Sequence, residues 1–288
     1  MSTIPQWFVQ QWDTAVRTEA SQKDSRLVST VTDRGTITGE AFTINFLGDD
    51  GGLMEENNVR HGDTQWTIAQ HQARVVNMAD FYKAYPLDRN DIPKMLANPV
   101  TGGDYMRNLM SFRNRRIDDI IFQAALASQL RKDGSTVALP ANQQIAAGGT
   151  GFTRAKLILA KKRFRANEAD AEAGEELYIT YDPEMFEDIL SDTTLTSADF
   201  LAVKMLQEGD VSRKWMGFNW IPYNGIRNVS GTLTTIAWAK SGIHFGTGYM
   251  EGNVTRRADK KDVWQVSMGA SYGAGRQDEK KVVAISFV

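Results

Sequence analysis

The residues of this 288-residue chain that could do chemistry are few and scattered. Asp182, Glu184 and Glu187 crowd three carboxyl groups together, and a pair of carboxylates is the least equipment that general acid–base hydrolysis needs. Their position around Pro183 gives a simpler account. Asp-Pro opens a helix over 184–190, with Asp182 as its cap, Pro183 at its first position and the glutamates in the field of its N-terminus. The histidines His61, His71 and His244 lie in separate stretches. With no cysteine and no His-Glu-x-x-His spacing, zinc has no ligand set. Gly149, Gly151 and Lys156 precede a helix as a phosphate loop does, but the Gly-Lys-Ser/Thr ending is missing. Gly246-Thr-Gly248-Tyr-Met-Glu-Gly252 has one residue too many for a dinucleotide fingerprint and no helix after it. Asn228-Val-Ser is a glycosylation sequon in form alone. The chain is therefore expected to have no catalytic, cofactor-binding or metal-binding residues. A cytosolic hydrolase using Asp182, Glu184 and Glu187 is the alternative.

Composition agrees with a folded soluble protein, at 42% hydrophobic and 24% charged residues. The net charge of −2 argues against a dedicated nucleic-acid binder, which carries a basic surplus. No apolar run reaches the ~20 residues of a membrane span, so no membrane partner is expected. The N-terminus lacks the basic and apolar regions of a signal peptide, which predicts a protein made in a cytoplasm.

The stretch that organises the chain is a helix predicted over 104–132, lying between Gly102-Gly103 and Asp133-Gly134. At ~1.5 Å per residue it would be roughly 40 Å long. Met106, Leu109, Met110, Ile117, Ile120, Ile121 and Ala124 share one face, with Arg113 in its middle and Arg116 on its flank. Arg115 is placed to reach Asp118 and Asp119. Before it, a helical stretch runs to Val31, and residues 35–77 read as a long β-hairpin with strands Glu40–Leu47 and Gln65–Val76. The tip between them runs about seventeen residues, longer than most hairpin loops, and such a hairpin cannot bury both faces at home. A strand at 81–87 and a short helix beginning near Asn90 and ending near Asn98-Pro99 lead into the long helix. After it come a helix over 152–168 with a basic side (Lys156, Lys161, Lys162, Arg163, Arg165) and strands at 177–181, 215–221 and 232–238. Alternating strands at 263–272 and 282–288 read as a closing pair.

Three stretches carry a resemblance. Tyr178-Ile-Thr-Tyr-Asp182-Pro183 with its helix, then Gly209-Asp-Val-Ser-Arg-Lys-Trp-Met-Gly217-Phe-Asn-Trp-Ile-Pro-Tyr-Asn224, resemble the strand, helix and "G-x-V … G-F-x-x-x-x-x-N" run of tailed-bacteriophage major capsid (coat) proteins. Ala237–Gly246 and Tyr272–Val283 are similar to later elements of that family. The resemblance implies an α+β fold of the tailed-phage major capsid type. It would have an N-terminal arm (1–31), an extended β-hairpin loop (32–77), a peripheral domain with the spine helix (78–150 and 255–288) and an axial domain (151–254). It implies a virion shell subunit that self-assembles as pentamers and hexamers into an icosahedral head around double-stranded DNA. The implied partners are further copies of itself, a separate scaffold, a portal, and a decoration or cement protein, with packaged DNA touched only weakly and nonspecifically. A cellular nanocompartment shell of encapsulin type is the alternative within the fold. Some family members crosslink through a loop lysine, but residues 25–82 contain none, so noncovalent contacts are expected to hold the shell. Glu55, Glu56, Arg60, Arg113 and Arg116 are the expected intersubunit contacts, setting register more than stability.

Overall fold

The structure is a computed structural model that describes residues 22–48, 60, 62, 63, 66, 68–88, 104–191 and 214–288. The expected short helix near residue 90, Glu55 and Glu56 lie outside the described residues.

Among the described residues three sheets form, and one long helix, α1 (Asp104–Leu126), packs on two of them. The first sheet has the order β1 (Thr32–Thr36), β13 (Ile243–Arg257), β14 (Val263–Arg276), β4 (Ala79–Leu87). The second is seven-stranded. Its order is β7 (Gln144–Ile145), β15 (Val282–Phe287), β12 (Thr232–Ala239), β8 (Leu177–Tyr181), β10 (Phe218–Pro222) and β9 (Lys214–Trp215), with β11 (Arg227–Val229) also on β12. The third is β2 (Ala41–Gly48), β3 (Gln70–Asn77), β5 (Gln129–Arg131) and β6 (Thr136–Val137).

Side chains on successive strand residues point to opposite faces, and this alternation gives the large sheet two cores. Ile179, Ala237, Val283 and Ile285 meet helices α2 (Arg154–Ala166) and α3 (Pro183–Ser191) on one face. Ile236, Trp238, Val282 and Ala284 meet the C-terminal half of α1 on the other. The N-terminal half of α1 packs Leu109 on Val266, Met268 and Leu87 of the first sheet. One helix thus covers two sheets, and its length follows from that span. Tight two-residue turns join β9 to β10 and β11 to β12. Met216-Gly217 and Ser230-Gly231 both adopt positive φ (50° and 80°, 52° and 82°), the twist a hairpin needs.

The helix ends at Leu126, short of the predicted Lys132. No Gly or Pro stops it; tertiary hydrogen bonds do. The Gln129 amide donates to the carbonyls of Ala124 (2.8 Å) and Ala127 (3.1 Å), and Arg276 Nη1 donates to those of Ala125 (2.7 Å) and Ala127 (3.1 Å). The chain then leaves as β5 to pair with β3, and Asp133-Gly134 turns the β5–β6 hairpin instead of capping a helix.

Further expectations are corrected. β14 and β15 are not a closing pair and do not share a sheet: β14 lies between β13 and β4, whereas β15 lies between β7 and β12. Val282–Ile285 is apolar on both faces, as a strand covered by helices on each side must be. Ile243–Arg257 forms the long strand β13, which pairs with β14. Residues 22–27 form an irregular strap and not a helix, followed by a single 3-10 turn, Val28–Thr30.

Burial on α1 gives a direct test of this packing. Ile121 is 0% exposed and Met110 is 41% exposed. Ile121→Ala is expected to lower the unfolding free energy of the chain by about 2–5 kcal/mol, and Met110→Ala by less than about 0.5 kcal/mol, in urea titrations.

Candidate functional site

The residues flagged for chemistry do not converge. Asp182 caps α3, its Oδ1 accepting from Met185 N at 2.9 Å, while Glu184 and Glu187 are exposed on the same helix. Lys156 is buried and grips its own loop, donating to the carbonyls of Ala147, Thr150 and Gly151, each at 2.8 Å. That use of the ammonium closes the loop an incoming phosphate would occupy. His71 is exposed, His244 is buried and His61 lies outside the described residues. Among the described residues no group of three His, Asp or Glu is placed to hold a metal. Asn228 accepts from Gly231 N in the β11–β12 turn.

What the structure does build is a set of anchors for segments that reach away from the body. The strongest is Asp118 on α1, 0% exposed. Its carboxylate accepts from the Gln22 amide, from Ser25 Oγ (2.6 Å), from Arg26 N (3.1 Å) and from Leu27 N (3.1 Å). One turn earlier, Asn114 Nδ2 donates to Lys23 O at 2.5 Å. The anchor continues beyond the helix: Arg26 Nη1 donates to Pro222 O (2.7 Å), and Trp238 Nε1 donates to Thr30 O (3.1 Å). Leu27 and Val31 enter the core beside these bonds. The predicted pairing of Arg115 with Asp118 and Asp119 is thereby corrected. Asp118 is occupied by the strap, and Asp119 accepts from Arg116 (2.7 Å) and Gln123 (2.7 Å). Helical spacing offered Arg115 as the partner of Asp118 and gave no sign of one 91 to 96 residues away in the chain.

A second anchor fixes the hairpin root. Arg74 of β3 and Arg276 at the end of β14 are both buried and share Glu279, at 3.1 Å and 3.7 Å. The Arg74 guanidinium also lies 5.1 Å from the Phe46 ring centre across the hairpin. Phe42, Ile44 and Val76 fill the hairpin's inner face. Away from the root the picture reverses: Leu47, Trp66 and Ile68 are 63%, 88% and 86% exposed. Trp66 and Ile68 precede β3, which starts at Gln70 and not at the predicted Gln65. Tyr82 and Tyr249 are exposed together beside Gly269 on one face of the first sheet, while Met250 and Val254 are exposed along β13 on the other.

The expected contact residues separate. Arg60 is exposed. Arg113 is half-buried: its Nη1 lies 2.8 Å from Met250 Sδ and its Nη2 donates to Asn114 Oδ1 at 2.9 Å. Arg116 pairs within its own helix and stacks 4.6 Å from the Phe81 ring centre.

A chain with anchored segments and no gathered chemical site among its described residues matches a known family. Over residues 4–288 the chain fits the model described as "Phage capsid protein". The chain belongs to the phage capsid protein family.

Solved structures agree on the fold of this capsid protein. A chain of the Mycobacterium phage Che8 structure aligns with TM-score 0.69 at 13% identity, covering 99% of this chain and 97% of that one. The Cyanophage Pam1 capsid gives 0.70 at 12% identity, covering 96% and 95%. The capsid of a native GTA particle gives 0.69 at 9%, covering 97% and 95%. A comparison with curated protein sequences finds no match. The capsid protein thus has the phage major capsid fold anticipated from the order of its segments.

Two outcomes follow from the anchors. Asp118→Ala leaves buried donors without an acceptor, and is expected to cost about 2–4 kcal/mol and to speed amide exchange over residues 25–31. The second concerns His244, whose Nδ1 accepts from Arg34 Nε of β1 (3.0 Å), so the ring proton sits on Nε2 toward Gln277 Oε1 (2.9 Å). Burial, above all, holds its pKa below the ordinary 6.5; Gln277 opposes this, and the Arg34 and Lys281 charges add to it. The unfolded chain therefore takes up the proton first, and stability falls as pH drops below 6.5 toward the folded-state value. His244→Gln, which keeps an acceptor for Arg34, is expected to remove that part of the slope in denaturation curves taken between pH 7.5 and about 5.

Proposed function

We propose that this protein is the major capsid subunit that assembles as pentamers and hexamers into an icosahedral head enclosing double-stranded DNA. The observation that carries the reading is the family match over nearly the whole chain. The subunit's form supports it: an anchored strap, a rooted hairpin with Leu47, Trp66 and Ile68 exposed, and a long helix spanning two sheets suit a tile that is completed by its neighbours. The structural neighbours include the capsids of Cyanophage Pam1 and of a native GTA particle.

In this reading the chain ahead of Val31 is the arm, and the β2–β3 hairpin is the loop laid over the adjoining subunit. The sheet of β1, β13, β14 and β4 is the peripheral body, with α1 as its spine, and the seven-stranded sheet is the axial body gathered around the symmetry axes. Glu55, Glu56, Arg60, Arg113 and Arg116 serve as contacts between copies. Scaffold, portal and decoration proteins are separate chains, and packaged DNA touches the shell weakly. Synthesis takes place in the cytoplasm of a bacterial host.

The purified protein, alone and with the scaffold of its own virus, is expected to form closed shells in negative-stain microscopy. Monomers under every condition would overturn the reading. Arg113→Ala is expected to reduce shell yield several-fold while moving the urea midpoint of the free subunit little; equal loss of both would make Arg113 a packing residue alone.

A further inference from the structure

Two charged helix faces remain without a use. Helix α2 carries six basic residues and no acidic one. Of these, Lys156 is consumed by its loop, Lys161 lies 5.6 Å from the Phe218 ring centre, and Arg165 pairs with Glu172. Arg154 and Lys162 are exposed and make no ion pair among the described residues. Between them sits Ile158, and the spacing i, i+4, i+8 puts all three on one stripe about 12 Å long. Ile158 and the adjoining Leu159 are 46% and 38% exposed, unusual for aliphatic side chains on a helix whose other face is fully packed. Helix α3 has the opposite character. Glu184 and Glu187, at i and i+3, are exposed and likewise have no ion pair among the described residues, and Pro183 beside them is exposed.

Both helices lie on the same face of the seven-stranded sheet, since Leu157, Ala160 and Phe164 share one core with Met185 and Ile189. They are held side by side where Asp188 accepts from Phe152 N at 2.6 Å. Their charged faces turn outward from one layer and do not pair within a subunit. The complementary surface for each exists on another copy of the same chain.

We propose that the α2 stripe of one subunit docks on the α3 acidic face of the next, Arg154 and Lys162 meeting Glu184 and Glu187 around a buried Ile158–Leu159 contact. The contact is head-to-tail, and repetition about an axis closes a ring where the rotation from copy to copy divides a full turn. The inference rests on the capsid reading above and assigns the pairing within its rings. The aliphatic pair supplies burial, and the charges select the neighbour and its register.

Charge reversal tests it. Glu184→Lys with Glu187→Lys, and separately Arg154→Glu with Lys162→Glu, are each expected to raise the protein concentration for half-maximal assembly by about tenfold or more, read by sedimentation velocity and microscopy. Combining all four substitutions restores attraction with the signs exchanged, and is expected to bring assembly back to within about threefold of the wild type. Thermal midpoints of the free subunits check that all variants fold, as exposed positions should allow. Normal assembly of either double variant overturns the proposal, as does failure of the fourfold variant to recover while its subunit melts like the wild type. If the Arg154/Lys162 variant assembles normally and its particles retain less double-stranded DNA, the stripe faces the genome and the proposal falls. A wild-type protein that forms no particles overturns the capsid reading itself, an outcome distinct from all of these.

Discussion

The subunit's architecture depends on a buried carboxylate. Asp118 sits in the middle of α1, fully enclosed, where an unpaired charge would be prohibitively costly. It is tolerated because the strap supplies the hydrogen bonds: two side chains and the successive amides of Arg26 and Leu27. The dependence runs both ways. The strap has no regular structure before its single 3-10 turn, so its course is set by Asp118, Asn114 and the insertion of Leu27. The helix cannot rotate without breaking the same bonds, and its rotation decides which residues face the two sheets.

From that fixed helix the rest is arranged by which sheet each half touches. Leu109 commits the first half to β14 and β4; Ile117, Ile121 and Phe122 commit the second half to Trp238, Ile236 and Ala284. The carbonyls at the helix end are taken by Gln129 and Arg276, and Arg276 shares Glu279 with Arg74. The hairpin root is thus tied to the same helix through buried polar contacts, which demand one geometry. Beyond the root, Leu47, Trp66 and Ile68 lie in solvent. In the proposed role, these exposed side chains of a hairpin anchored at its root are the ones a neighbouring copy would cover.

The residues that a chemist would select first have structural duties. Asp182 closes a helix, Lys156 draws three carbonyls of its own loop together, and His244 holds a neutral ring between Arg34 and Gln277. Charge left over after these duties lies outward, on α2, on α3 and along α1. In a monomer such charges are worth little; in a repeating assembly weak contacts multiply.

Local pattern was enough to read β4, β8, β12, the start of α3 at Asp182-Pro183 and the apolar face of α1 except for Met110, which is exposed, because each depends on periodicity or on capping within a few residues. It was also enough for the order of segments, and hence for the family resemblance. It misjudged the end of α1, the sheet to which β15 belongs, the strap, and the partner of Asp118. Each of these is settled by a contact between residues far apart in the chain: Gln129 and Arg276 on the last helical turn, Val282–Ile285 buried between two helical layers, Ser25–Leu27 on Asp118. Sequence spacing determines what a segment can do alone. Which carbonyl a distant arginine reaches, and which face of a strand is covered, is decided when the segments are brought together, and there the tertiary structure alone speaks.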